Sequence, residues 1–404
     1  MTHPMPETHP MSETRMALIG AFMVTLGPLS LTLYTPAMPM LVEVFRATPA
    51  SVKMTMTVYF LGFAFAQLVC GPLSDAYGRR PVALSFFLAY AAGSLACALS
   101  SSVEWLIAGR ALQGVGAAAG IAISRAMVRD GFTGQASARI LNLIGLMLAV
   151  APAVAPTLGA VMVATVGWHG IFVAMLAYGV ALLAVFAACT RETNAARSPA
   201  LARPRLVLGN YAALLKDRRF MRAGLVMGLT LGGTYTLVAF LPFVMIGQMG
   251  MSPVGFGLAT TMQTAAYMLG AAVTGRLLRR VQADRLVPVG LAFVGAGALG
   301  FGVGLRLLPL DLVTVTAPGV LWSFGIALVM PGATTVALGG FPRIAGAAAA
   351  LVGFLQIGGG LAGTGVSALL FADPFLAMTT VMPAMALMAA AAHLALAPAR
   401  GRDG

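Results

Sequence analysis

Arg110 is the residue that most plainly demands chemistry. It lies inside a long apolar stretch, and Gln113, Gly114 and Ala117 follow it at spacings that share one helix face. A guanidinium cannot shed its charge on burial. That face must therefore meet water and solute in an interior passage, or backbone carbonyls that tie it in place. A second charged group is Gly71-Pro-Leu-Ser-Asp75-Ala-Tyr-Gly78-Arg79-Arg80-Pro81, a tight basic turn between two apolar stretches. Gly71 and Gly78 allow close helix approach and unusual backbone angles, and Pro81 suits the first turn of a following helix. Asp75 is either a solvated loop carboxylate or a latch that meets another helix start, near Arg343 and Ile344. A third set opens the chain: Met1, His3, Met5, His9 and Met11 form a soft-ligand cluster that could collect cuprous ion, with Met245 and Met249 as a further pair. The plainer account of that tail is a disordered segment with a chance duplication. No Ser/His/Asp, Cys/His or intramembrane carboxylate set converges, and no Gly-Lys-Ser phosphate loop occurs. The expectation is no enzyme, no ATP-driven step, no cofactor and no metal beyond that low-ranked cluster.

The elements that must position these residues follow from composition. Of 404 residues, 59% are apolar and 9% charged, too few to cover a soluble globule with polar surface. Crossing a bilayer takes roughly 20 apolar residues. Such stretches begin near Met16, Val52, Pro81, Trp105, Ala138, Gly170, Arg222, Val254, Leu286, Val313, Ile344 and Pro374. The alternating segments of a barrel are absent. The fold class is therefore an all-α membrane protein with twelve transmembrane helices. Arg46, Lys53 and Arg306 fall on one side and Arg110 inside a span, leaving 21 of the 25 Lys and Arg on the other side. By the positive-inside rule that side, with both termini, is cytoplasmic. The net charge of +13 sits in short interhelical loops, where anionic lipid headgroups explain it better than nucleic acid. Trp105 and Trp168 fall at outer span ends, as interfacial anchors do. The first apolar stretch is too long for a signal-peptide core, so no cleaved signal is expected. Cys70, Cys97 and Cys189 read as packing residues.

A polar, basic interruption at 191–220 separates six spans from six. The predicted organisation is a cytoplasmic tail 1–15, a six-helix half 16–190, a linker 191–220, a second half 221–397 and a tail 398–404. In such transporters the site lies between the halves near the membrane midplane. Gly275-Arg-Leu-Leu-Arg-Arg280 faintly echoes the Gly78-Arg79-Arg80 turn. Pro152 and Pro156, with Ala151, Ala155, Gly159 and Ala160, predict a bent fifth helix with a smooth face. That face either slides against glycines of the eighth and eleventh spans (Gly270, Gly353, Gly358, Gly359, Gly360) or is a kink that merely fits the bundle. Mid-span polar and aromatic residues complete a candidate cavity: Thr32, Tyr34, Tyr59, Gln67, Arg110, Gln113, Asn142, Tyr235, Gln263, Tyr267, Trp322 and Gln356. A mostly apolar pocket with a few such groups suits drug-sized amphipathic molecules, though each residue could equally make an interhelical hydrogen bond.

The turn GPLSDAYGRRP resembles the signature between the second and third spans of the major facilitator superfamily, in particular its drug:proton antiporters. LYTPAMPML, LIAGRALQGVGAA, APAVAPTLGA, Trp168-His-Gly-Ile-Phe172, LLKDRRF and GFLQ extend the likeness over most of the chain. Together they resemble the Bcr/CflA (bicyclomycin/chloramphenicol resistance) exporters. That resemblance implies two six-helix halves, a bacterial inner-membrane location, a small-molecule substrate, coupling to protons and a monomer. It also implies an antiporter seal at Pro152, Pro156 and Gly159, and a gate at Gly71, Asp75, Gly78, Arg79 and Arg80. One departure matters: Thr32 stands where the family usually carries an acid before Tyr-x-Pro, the natural partner of Arg110 and proton carrier. Coupling then falls to an edge acid such as Asp75 or Glu43, or the cargo itself brings the negative charge, which would suit an importer of a small anionic metabolite or vitamin. Copper import is the remaining alternative.

Overall fold

The computed structural model describes residues 11–195, 197–341 and 344–396. Met1, His3, Met5, His9, Arg343 and the carboxy-terminal tail lie outside the described residues. Among the described residues every regular element is helical. The first elements are α1 (Glu13–Thr32), α2 (Met38–Val44), α3 (Pro49–Tyr77), α4 (Arg79–Ala98), α5 (Val103–Gly131) and α6 (Gly134–Cys189). After a linker carrying α7 (Pro204–Lys216) come α8 (Arg218–Pro242), α9 (Pro253–Leu277), α10 (Ala283–Leu299), α11 (Leu305–Leu307), α12 (Leu312–Gly339), α13 (Ala345–Leu370) and α14 (Pro374–Ala395). Ten runs among the described residues are long and apolar enough to cross a bilayer. One of them is the 56-residue α6, which Gly167, at φ 74°, divides into two helices joined at a kink.

The ends are set by capping side chains. Ser12, Thr48, Ser102, Asp217, Ser252, Asp311 and Asp373 each accept a backbone N–H at a helix start, worth typically about 1 kcal/mol apiece. Pro49, Pro204, Pro253 and Pro374 open their helices, where the missing N–H costs nothing.

Buried side chains form one cluster drawn almost wholly from α1 to α6 and two drawn from α7 to α14. Two pairs join the amino-terminal helices to the carboxy-terminal ones: α3 with α13, which run antiparallel, and α6 with α9. Lipid supplies no hydrophobic force between helices, so close backbone contact must do the work. At Gly114 the carbonyl of Tyr59 occupies the space a Cβ would need, and α5 therefore lies hard against α3.

The turn after α3 is shorter than the sequence suggests. Gly71 and Pro72 stay helical, α3 runs to Tyr77, and Gly78 alone reverses the chain at φ 108°, ψ 151°. Pro72 can sit there because an interior proline removes only one backbone hydrogen bond, five residues before the helix ends. Trp168 is also corrected: it is buried, stacked on His169, while Trp105 is exposed as an anchor should be.

Candidate functional site

The end of the molecule that carries Gly78 also carries the linker, and the two are knitted together. Arg79 Nε donates to Asp130 Oδ2 at 2.9 Å, its Nη1 donates to Ser74 Oγ at 2.7 Å, and the same Nη1 pairs with Asp75 one turn earlier. Glu192 of the linker accepts the backbone N–H groups of Arg79 (2.9 Å) and Arg80 (3.1 Å), which caps α4 with a negative charge at its positive end. Asn194 Nδ2 donates to the carbonyl of Asp75 at 3.0 Å, serving the last turn of α3. Arg80 reaches the Ala187 carbonyl at 2.8 Å. From α7, Tyr211 donates its hydroxyl to the Leu68 carbonyl at 2.7 Å. Burial, reinforced by the Asp75 carboxylate, pushes that phenol up to about 12, so it remains a donor at any physiological pH. Asp75 is 37% exposed, and its Oδ2 lies 3.9 Å from where a Cβ on Gly346 would sit, in the first turn of α13. The carboxylate thus faces the α13 start expected from the sequence, while pairing with Arg79 on its own side. The echo at Gly275 has none of this: Gly275 is helical, and Leu278–Arg280 form an exposed turn.

Arg110 does not face an open passage. It is fully buried among α1, α3, α4 and α5, where Nη1 donates to the Ser30 carbonyl at 3.2 Å and to Gln113 Oε1, and Nη2 lies 3.6 Å from Met56 Sδ. The Tyr59 and Tyr34 rings lie 4.2 Å and 4.9 Å from its guanidinium carbon. Gln113 Nε2 donates onward to Ser94 Oγ at 2.7 Å. Among the described residues the ion pairs are Arg79 with Asp75 and Asp130, and Arg139 with Glu13, so no acid neutralises Arg110. Its Nε has no partner. Two electron-rich ring faces and two oxygens carry the charge, each desolvated ring contributing up to about 2 kcal/mol. Tyr34 and Tyr59 are spent on the same packing: Tyr34 shares a 2.9 Å hydrogen bond with Thr55, and Tyr59 donates to the Gly27 carbonyl at 3.2 Å. Thr32 donates to the Pro28 carbonyl at 2.9 Å.

The other cavity candidates divide. Tyr235 reaches the joint between the bundles, its ring 5.4 Å from that of Phe60 on α3. Gln67 is buried against Gly353 of α13, and its Oε1 has no partner. Gln356 Nε2 lies 3.7 Å from Met227 Sδ, and Tyr267 is half-buried. Trp322 is buried and donates to the Thr230 carbonyl at 3.0 Å, Gln263 packs against Gly319, and Asn142 is exposed. These last three serve the packing of single bundles or face outward. A shallow, open groove of about 670 Å³ runs along the linker-end half of α12, lined by Met330, Pro331, Thr334, Thr335, Leu338 and Gly339. Sequence patterning gives no sign of it, because apolar and threonine side chains are common on every span.

The proline-bent segment of α6 meets the other bundle at a different glycine from those expected. Thr157 Cα lies 2.7 Å, and the Pro156 carbonyl 3.2 Å, from where a Cβ on Gly257 of α9 would sit. Gly159 instead admits the Leu33 carbonyl inside its own bundle. Gly270 packs on α12, Gly353 faces α3, Gly359 faces α8, Gly360 faces both, and Gly358 has nothing within 4 Å of where a Cβ would sit, so none of them opposes the prolines. Gly257→Leu is expected to wedge α6 from α9 and cut transport about tenfold with folding largely retained, as measured by substrate flux at matched membrane abundance.

Of the metal alternative, Met11 packs on the amino-terminal core, Met245 is buried in the carboxy-terminal core and Met249 lies at its edge. Among the described residues no group of three or more His, Cys, Asp or Glu could hold a metal ion.

The sequence profile of the Major Facilitator Superfamily matches residues 20–364. The chain belongs to that superfamily. It is 32% identical to the uncharacterised MFS-type transporter YdgK of Bacillus subtilis (strain 168), over 94% of each chain. It is 31% identical to a chloramphenicol resistance protein of Pseudomonas aeruginosa, over 84% of this chain and 80% of that one. Among solved structures, the xylose transporter XylE of E. coli superposes at a TM-score of 0.73 with 12% identity, covering 95% of this chain and 96% of that one. The human organic anion transporter MFSD10 gives 0.66 with 21% identity, covering 95% and 99%. The protein is therefore a multi-pass membrane transporter of small molecules.

Proposed function

We propose that this facilitator exports drug-like small molecules, phenicols first among them, by proton-coupled alternating access, as Bcr/CflA exporters do. The likeness to the chloramphenicol resistance protein of Pseudomonas aeruginosa carries the reading. The joint between the bundles supports it, being apolar and aromatic with few polar groups, as cavities for amphipathic cargo are. Counting α6 as two crossings and α9 as one gives twelve, six on each side of the linker. The basic linker end then faces the cytoplasm of a bacterial cell, with both termini inside the inner membrane, and the protein works as a monomer. In that orientation the groove along α12 lies on the cytoplasmic side, and α3 meets α13 at both ends, through Lys53 outside and Asp75 inside.

Proton coupling falls to Asp75. Thr32 cannot titrate, Arg110 has no carboxylate beside it, and Asp75 stands partly exposed at a helix end whose contacts change as the bundles rock. In cells stripped of their own efflux pumps, expression should lower chloramphenicol accumulation several-fold, and a protonophore should abolish the effect. Asp75→Asn should keep substrate counterflow in liposomes yet lose acceleration by a pH gradient. Unchanged accumulation of every phenicol at verified membrane abundance would overturn the export reading.

A further inference from the structure

At the end opposite the linker, a lysine that the sequence places at the outer start of a span is fully buried. Lys53 lies in the first turns of α3, and its Nζ donates to Ser367 Oγ at 3.2 Å and to the Phe371 carbonyl at 3.4 Å. Both acceptors sit at the end of α13, where Phe371 is the residue that closes the helix. The Phe240 ring of α8 lies 5.9 Å from the ammonium. Asp373, the cap of α14, is near enough to attract it without pairing, and is itself held by Gln248 at 3.0 Å. The last carbonyls of a helix carry partial negative charge and its first N–H groups partial positive charge. Because α3 and α13 are antiparallel, the two ends of α3 present charges of the sign each end of α13 favours. Lys53 meets the carboxy terminus of α13 and Asp75 its amino terminus.

We propose that Lys53 is a latch that holds the far end of the transporter shut, opposing Asp75 at the linker end, so that one helix pair sets the balance between the two faces. The latch rests on the alternating-access reading but needs no knowledge of the cargo. Opening the far end must draw α3 from α13 and strip the ammonium of both acceptors, which are contributed wholly by the other bundle. Such a bond biases the equilibrium because only one state contains it. A helix–helix contact of ordinary apolar kind would be nearly indifferent to the charge.

The test reads the far-end separation in purified full-length protein in nanodiscs without substrate. Spin labels go on Ser101→Cys and Leu310→Cys, both exposed far-end positions, in a Cys189→Ser background that leaves the buried Cys70 and Cys97. Lys53→Met keeps the stem and removes the ammonium. It should raise the ratio of open to closed far ends about tenfold, seen as a longer-distance population. Lys53→Arg should keep the parent distribution, and Ser367→Ala should give a smaller shift of the same sign. A Lys53→Met distribution that superimposes on the parent would overturn the latch. Should that variant not yield monodisperse protein, an unshifted Ser367→Ala distribution would overturn it as well. Distances that shift while no phenicol is exported would leave the latch standing and remove the export reading alone.

Discussion

Gly78→Ala is expected to destabilise the protein by roughly 3 kcal/mol and to stop transport. Two costs add at this position. With φ at 108° and ψ at 151°, the backbone occupies a region essentially reserved for glycine, worth about 1–3 kcal/mol to any other residue. A Cβ would also collide with the Glu192 carboxylate, whose carboxyl carbon lies 2.9 Å from its place, and whose oxygens hold the first N–H groups of α4. Displacing Glu192 leaves those donors uncapped and frees the linker from the turn. The two costs separate in a double-mutant cycle. Glu192→Ala alone should cost about 1–2 kcal/mol, and Gly78→Ala in that background should then cost only its backbone share. Thermal unfolding followed by size-exclusion fluorescence reads all three variants. Strict additivity would show that the glycine is required for its backbone alone, with no collision against Glu192.

The helices were readable from hydropathy because a bilayer demands long apolar runs whatever their neighbours are. The site was less readable, and for one recurring reason. Patterning sees spacing along a chain, whereas the decisive partners stand far apart in sequence. Arg110, Gln113 and Gly114 share a face as predicted, but whether that face is wet depends on Tyr34 and Tyr59, which close over it from α1's end and α3. Glu192 looks like one more solvated linker charge until Gly78 brings it against α4. Asp130 follows Arg125 and Arg129, an acid among basic neighbours, a signal that could have been weighed as the partner of Arg79. Lys53 sits near a span end, where snorkelling would keep it in water, yet Ser367, 314 residues on, takes it into the joint. The glycine opposing the proline bend is not one that spacing singles out, because small residues are common in every span. Only the fold selects Gly257.

Arg110→Ala is expected to be the most damaging substitution in the membrane interior, costing about 3–5 kcal/mol and most of the folded yield. It empties a large buried volume and leaves Gln113 Oε1 and the Ser30 carbonyl without their donor. Arg110→Lys retains the charge but not the planar fork that reaches both oxygens between two rings, so it should lose about 2 kcal/mol rather than behave conservatively. The informative variant is Arg110→Met. Replacing a buried charge by an apolar side chain of similar length is often tolerated, because the desolvation cost leaves with the charge. Its stability should therefore fall between the parent and Arg110→Ala, within about 2 kcal/mol of the parent, the residue being the two orphaned oxygens. If Arg110 acts only as a tie, the Met variant at matched abundance should transport at close to the parent rate. If rocking of the bundles exposes the guanidinium to cargo through Tyr59 and the adjoining Phe60–Tyr235 contact, the Met variant should fold and fail to transport. The buried geometry predicts the first outcome for neutral phenicols, since a charge bracketed by two rings and two oxygens can meet cargo only after giving up those contacts.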